Sequence, residues 1–199
     1  KNTLINEGIL TSDAIERGMD ALREHVLYAR SMNPDVIKAY GTSAIRSAKN
    51  SHEFIDRAKN ELGIDIEVIT GEQEAELIYY GVKYAIGLAD ENVLILDIGG
   101  LSNEFIIGNA HGICWKKSYK LGIARLLEKF QPSDPLSPTD IKALEAYFDE
   151  HLPDLFEQCE KYNIKTLIGS SGSFDSFATM TTFRYHSIKV LENLSSYTI

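Results

Sequence analysis

The chain has 199 residues, of which 44% are hydrophobic, and a formal net charge of −9. That length and apolar content suit one large domain or two small lobes and argue against disorder. The acidic balance excludes a broad nucleic-acid surface, which needs excess Lys and Arg, but not an anionic substrate held by backbone N–H groups, one or two arginines and a divalent cation.

Thr11 and Ser12 are cap candidates for a first helix whose apolar face runs Ile15, Met19, Leu22, Val26, and Asn33-Pro34 ends it. Val36 to Tyr40 reads as a strand. Asn50 with Glu53 resembles a capping box opening a helix that Gly63 can close. Ile64 to Ile69 is a second strand, and Glu72 to about Ile86 a helix with Leu77, Ile78, Val82 and Ala85 on one side. Val93 to Leu96 is wholly apolar, as expected of a central strand buried on both faces. Glu104 to Ile107 returns after a tight turn, and Gly108 to Gly112 is a further turn before a strand over Ile113–Tyr119. Gly122 opens a helix through Leu126 and Phe130. Ser137-Pro138 starts a longer one, with serine as cap and proline in the first turn. Thr166 to Ile168 is a short strand entering Gly169-Ser170-Ser171-Gly172, and another helix follows. Helix and strand alternate throughout, which implies an α/β fold.

The opening Lys1-Asn2-Thr3-Leu4 lacks a leader pattern. No apolar run approaches the ~20 residues of a membrane span. Cys114 and Cys159 lack metal-ligand spacing and read as two buried thiols, so the expected location is the cytoplasm. No two of the five histidines have metal spacing, and none is given a role. Tyr79 and Tyr80 read as packing aromatics rather than base-stacking groups.

Four segments carry chemistry. In Leu94-Ile95-Leu96-Asp97-Ile98-Gly99-Gly100-Leu101-Ser102-Asn103-Glu104, a buried strand delivers an aspartate to its end. Two glycines then permit close backbone approach, and successive N–H groups can form an anion nest. Asp97 and Glu104 can face one pocket from adjacent strands as Mg²⁺ ligands; the alternative is a plain hairpin with Asp97 bonding its own turn. Gly169-Ser170-Ser171-Gly172-Ser173, between strand and helix, suits phosphate or is a flexible connection. Arg46, at the end of Gly41-Thr42-Ser43-Ala44-Ile45-Arg46, is a phosphate-binding arginine or a solvated one. In Thr70-Gly71-Glu72-Gln73-Glu74-Ala75, the glutamates are either functional or placed for the helix dipole.

In this order, Gly41 to Asn50, Ile69 to Val82, Asp97 to Glu104, Leu121 to Leu126 and Gly169 to Ser173 resemble the motifs of the exopolyphosphatase/guanosine pentaphosphatase (Ppx/GppA) family, over about residues 10–180. The resemblance implies a ribonuclease H-like, actin-like ATPase fold with mixed sheets flanked by helices, two lobes and a cleft between them. It implies Mg²⁺-assisted hydrolysis of terminal phosphate from inorganic polyphosphate or guanosine pentaphosphate. Glu74 matches the family's catalytic glutamate and Arg46 its cleft arginine. Asp97 and Glu104 match its metal residues. Gly99, Gly100, Ser102, Gly169, Ser170, Ser171 and Gly172 are the phosphate-binding candidates. Expected partners are polyphosphate or guanosine penta- or tetraphosphate, with no nucleic acid, no membrane, and a homodimer as one option.

Three positions depart from the family pattern. Leu101 replaces a third glycine, which would restrict positive φ in the nest; Asn103 replaces threonine; and Glu76 replaces arginine. The family's first phosphate hairpin, an Asp-Ile-Gly-Ser-Asn-Ser-like segment, is not found. A fragment is therefore expected, with a partial first lobe over residues 1–69 and a second lobe over 70–199 that is incomplete at its C-terminus. Two other functions fit the same motifs: a phosphotransferase of this fold, and a non-catalytic polyphosphate or nucleotide sensor, which Leu101 and Asn103 favour and Glu74 disfavours.

Overall fold

The computed structural model describes residues 3–185. The chain divides into two compact units, Lys1–Thr70 and Gly71–Ile199.

The first unit contains α1 (Thr3–Glu7), α2 (Ser12–Ser31), β1 (Ala39–Gly41), α3 (Ser43–Ser47), α4 (Ser51–Leu62) and β2 (Ile66–Val68). Thr11 caps α2 by accepting from the Ala14 amide, as its short hydroxyl side chain permits. Ile15 and Met19 of α2 bury against Ala58 of α4, with Leu22, Phe54, Leu62 and Ile66 around them. Gly18 allows the close crossing, because a side chain there would meet the Phe54 ring at 2.8 Å. Both strands are shorter than the sequence suggests. They pair in parallel only over Ala39↔Ile66 to Gly41↔Val68, so Val36 lies outside the ladder and is exposed. Asn50 precedes α4 but does not cap it. Its amide instead accepts from Leu10 N at 2.8 Å and donates to Leu10 O at 2.9 Å, joining two segments 40 residues apart. Gly63 ends α4 at φ +67°, a conformation glycine adopts without steric cost.

The second unit contains α5 (Gly71–Ile86), β3 (Val93–Ile98), β4 (Asn103–Gly108), β5 (Ile113–Tyr119), α6 (Ile123–Phe130), α7 (Pro138–His151), α8 (Pro153–Lys161), β6 (Leu167–Ser170) and α9 (Gly172–Tyr185). The sheet order is β5-β4-β3-β6, with β6 parallel to β3 and the other pairs antiparallel. This is the mixed sheet flanked by helices that the sequence predicts.

Alternation along the strands divides the core in two. Ile95 and Ile106 point to one face and pack against Ala75 and Tyr79 of α5, with Val93 and Ile168 beside them. Leu94, Leu96 and Phe105 point to the other and pack with Tyr119, Leu121, Leu152 and Leu155. Full burial of side chains such as Ile95 and Ile106 stabilises by roughly 1.5–3 kcal/mol each. The strand buried along its whole length is β4, with every residue buried, whereas β3 is fully buried only at Ile95. Each has one edge strand as its outer neighbour, and β6, beside β3, is the more exposed of the two.

α7 has the full capping box, Ser137 with Asp140. Pro153 then opens α8 as a separate helix. Tyr79 is buried and donates to Asn109 O at 2.7 Å, but Tyr80 is 55% exposed, so only the first is a core aromatic. Both thiols are free, and neither is buried as expected: Cys114 is exposed and Cys159 half-buried. Among the described residues no helix is long and apolar enough to cross a membrane. His186 lies outside the described residues.

Candidate functional site

Strand register assembles the site. Asp97 of β3 stands directly opposite Glu104 of β4. Glu104 in turn faces Ser118 of β5, and Asp97 faces Ser170 of β6. One polar row, Ser118-Glu104-Asp97-Ser170, thus crosses all four strands. The adjoining row is Lys116-Ile106-Ile95-Ile168. Because Asp97 is two residues beyond Ile95 and Glu104 two before Ile106, both carboxylates lie on the α5 face. Glu74, in the first turn of α5, is half-buried and lies near enough for its charge to act on Glu104. Glu72, in the same turn, is exposed.

Both carboxyls titrate above their ordinary values. For Asp97 the cause is burial, offset in part by the Ser171 hydroxyl, which donates to Oδ1 at 2.8 Å. For Glu104 burial again leads, opposed by the Ser118 and Ser102 hydroxyls and reinforced by the charges of Glu74 and Asp97. Ser118 donates to Glu104 Oε1 at 2.7 Å, and Glu104 itself is only 2% exposed. Two carboxylates thus stand among hydroxyl donors, with the charge of Glu74 acting on one of them. Among the described residues no group of three or more His, Cys, Asp and Glu is placed to hold a metal ion; Asp97 and Glu104 form a pair.

The turn between β3 and β4 is held from one side by α6. Gly99 O accepts from Ile123 N at 3.0 Å, Gly100 O from Ala124 N at 2.8 Å, and Leu101 O from Arg125 Nε at 2.8 Å. Gly122 makes this possible, since a Cβ there would lie 2.3 Å from Leu101 N. No residue of the turn is left-handed. The turn therefore does not need positive φ, and Leu101 fits where a third glycine was expected. At Gly99 the constraint is space, because a Cβ would meet Ser102 O at 2.7 Å; Gly100 faces open space. Asn103 donates to Leu121 O at 3.0 Å, while its buried Oδ1 has no partner among the described residues.

The β6–α9 loop supplies the other side. Ser171 has φ +70°, a strained conformation for a non-glycine residue, and this is the serine that reaches Asp97. Ser173 donates to Ile98 O at 3.2 Å, and Gly172 faces open space. Gly169 stands apart from the other phosphate candidates. It lies inside β6, paired with Leu96, and the Phe174 ring occupies the place a side chain would take. Arg46 belongs to the first unit, on α3, and donates to Ile69 O at 2.7 Å. Ser118, Gly122 and Arg125 were not among the sequence candidates. Gly122 and Arg125 lie in the Leu121 to Leu126 motif, so that signal was present; Ser118 becomes visible only once the β4–β5 register is known.

A model of the Ppx/GppA phosphatase family matches residues 1–196. The chain belongs to that family. An exopolyphosphatase structure from Cytophaga hutchinsonii superposes with a TM-score of 0.87 at 40% identity, covering 91% of this chain and 58% of that one. The Aquifex aeolicus Ppx/GppA enzyme superposes at 0.70 and 29% identity, covering 92% of this chain and 58% of its own. The chain thus spans a little under three fifths of the relatives it matches.

Proposed function

We propose that this Ppx/GppA chain carries the phosphate-anchoring and water-activating part of a phosphoanhydride hydrolase. Its substrate is a terminal phosphoanhydride, the linkage common to inorganic polyphosphate and guanosine pentaphosphate. The observation that carries the reading is the Asp97–Glu104 pair, held face to face beside an open-sided glycine turn, with Glu74 within electrostatic reach.

The donor set fits a hard divalent cation such as Mg²⁺, because it offers two carboxylates with serine hydroxyls behind them. Burial opposes the ionisation of both carboxyls, and a bound cation would favour their charged forms. Asp97 and Glu104 would hold the ion directly or through water. When bound it offsets the charge on phosphate oxygens.

In this reading, the Gly100, Leu101 and Ser102 amides of the β3–β4 turn and those of the Ser170–Gly172 loop bind and orient the terminal phosphate. Glu74 accepts a proton from the attacking water as its oxygen forms the new bond to phosphorus, and the bond to the bridging oxygen breaks. The family resemblance alone assigns Arg46 the stabilisation of charge on the equatorial oxygens.

The test is phosphate release by the full-length protein from polyphosphate and from guanosine pentaphosphate, with and without Mg²⁺. Glu74→Gln should lower turnover by roughly 10²–10⁴-fold, the range of general acid–base catalysis, while Glu72→Gln, an exposed neighbour in the same turn, keeps activity. Full activity in Glu74→Gln would remove this mechanism. Transfer to an acceptor hydroxyl in place of phosphate release would make the protein a phosphotransferase.

A further inference from the structure

The three carbonyls of the β3–β4 turn all point toward the start of α6. A trans peptide unit directs its C=O and the following N–H in opposite directions, and the cis peptide among the described residues is Asp134-Pro135. Fixing Gly99 O, Gly100 O and Leu101 O on α6 therefore turns the N–H groups of Gly100, Leu101 and Ser102 away from it. The direction of that turning can be read from β4. Asn103, which holds Leu121 O beside α6, follows Ser102 and precedes Glu104, and successive strand residues point to opposite faces. The start of α6 lies on the Asn103 side, so the three amides emerge toward the side of Glu104 and Asp97. Among the described residues no protein acceptor takes these amides.

We infer that Arg125 is a positioning residue for phosphate binding. The first two carbonyls are held by backbone amides of α6, which any sequence would supply. The third is held by the Arg125 guanidinium, and this is the peptide that aims the Ser102 amide. Arg125 thus acts through the Leu101-Ser102 peptide and does not itself touch the phosphate. The inference rests on the proposed phosphate site.

The test uses the full-length protein, ¹⁵N-labelled at Gly, Leu and Ser, titrated with inorganic phosphate. In the wild type the Gly100, Leu101 and Ser102 amide protons should move downfield together. In Arg125→Met the Ser102 shift should be lost and the phosphate Kd should rise about tenfold, the scale of one lost hydrogen bond. Arg125→Lys, which keeps a donor of similar reach, should recover most of both. If the wild-type turn amides respond but a folded Arg125→Met binds phosphate within twofold of wild type, the positioning role is wrong and the phosphate site stands. If phosphate leaves the wild-type turn amides unmoved, the phosphate site itself is wrong and the inference falls with it. Should Arg125→Met fail to fold, Arg125→Leu, which also lacks a donor, replaces it under the same readings. Failure of both to fold would make Arg125 a purely structural residue and overturn the proposal.

Discussion

Gly122→Ala should disable the turn by moving it. The added Cβ would stand 2.3 Å from Leu101 N and 2.4 Å from Gly100 C, and ordinary contact begins at 3.4 Å. The obstacle is backbone, so α6 and the turn must separate by about 1 Å (3.4 − 2.3). That separation breaks the bonds from Ile123 N to Gly99 O and from Ala124 N to Gly100 O. Two lost hydrogen bonds plus overpacking come to about 3–5 kcal/mol, or a Tm lower by roughly 10 °C for a chain of this size. Gly100→Ala is the matched comparison. Its Cβ would meet nothing within 4 Å, so the Tm should stay within about 2 °C, yet the methyl would stand in the proposed phosphate space and weaken phosphate binding at least tenfold. Thermal melts and phosphate titration of both variants decide the matter. A Gly122→Ala protein melting within 2 °C of wild type would refute the close-approach argument. A Gly100→Ala protein with unchanged phosphate affinity would show that the open side of the turn is not where phosphate sits.

Burial raises Glu104 above its ordinary value of 4.5, so the folded state binds that proton more tightly than the unfolded state and stability falls as pH rises from 4.5 through the folded value. Glu104→Gln should therefore melt above wild type at pH 7, as expected for removing a buried carboxylate whose burial the Ser118 and Ser102 hydroxyls offset only in part, with the gap closing below pH 4.5; a gap independent of pH would place its origin elsewhere. Asp97→Asn should flatten the Mg²⁺ dependence of phosphate release, since an amide keeps the shape but not the anionic ligand; an unchanged Mg²⁺ titration would leave Asp97 a structural residue. Asn50→Ala removes both hydrogen bonds to Leu10 and should cost about 2 kcal/mol of stability with no effect on phosphate affinity, as urea melts and phosphate titration would show. Arg46→Ala should lower kcat on the order of 10²–10³-fold with a smaller change in KM; a change confined to KM would make it a uniform binding residue.

Local chemistry was enough to place most elements of this chain. Thr11, Gly63 and Ser137 mark helix ends because a cap or a left-handed glycine acts within one turn. The Asp97–Glu104 segment could be read as a strand, turn and return strand because apolar runs and glycines are local signals. That reading put both carboxylates in one pocket. The sequence also carried the family motifs, and with them the candidacy of Glu74 and Arg46. Other features depended on partners distant along the chain. Asn50 looked like a cap, but its amide is taken by Leu10, 40 residues away. β4 rather than β3 is the strand buried throughout, because burial depends on which strands and helices flank it. Gly169 and Gly172 are alike in sequence, but the first is held in the β6 ladder under the Phe174 ring and the second faces open space. Ser118 joins the polar row through the β4–β5 register, and Arg125 meets Leu101 O across 24 residues. The residue types suited to phosphate chemistry were written locally; which way the turn's amides point was decided by the tertiary packing of α6, because a peptide's direction is set by whatever takes its carbonyl.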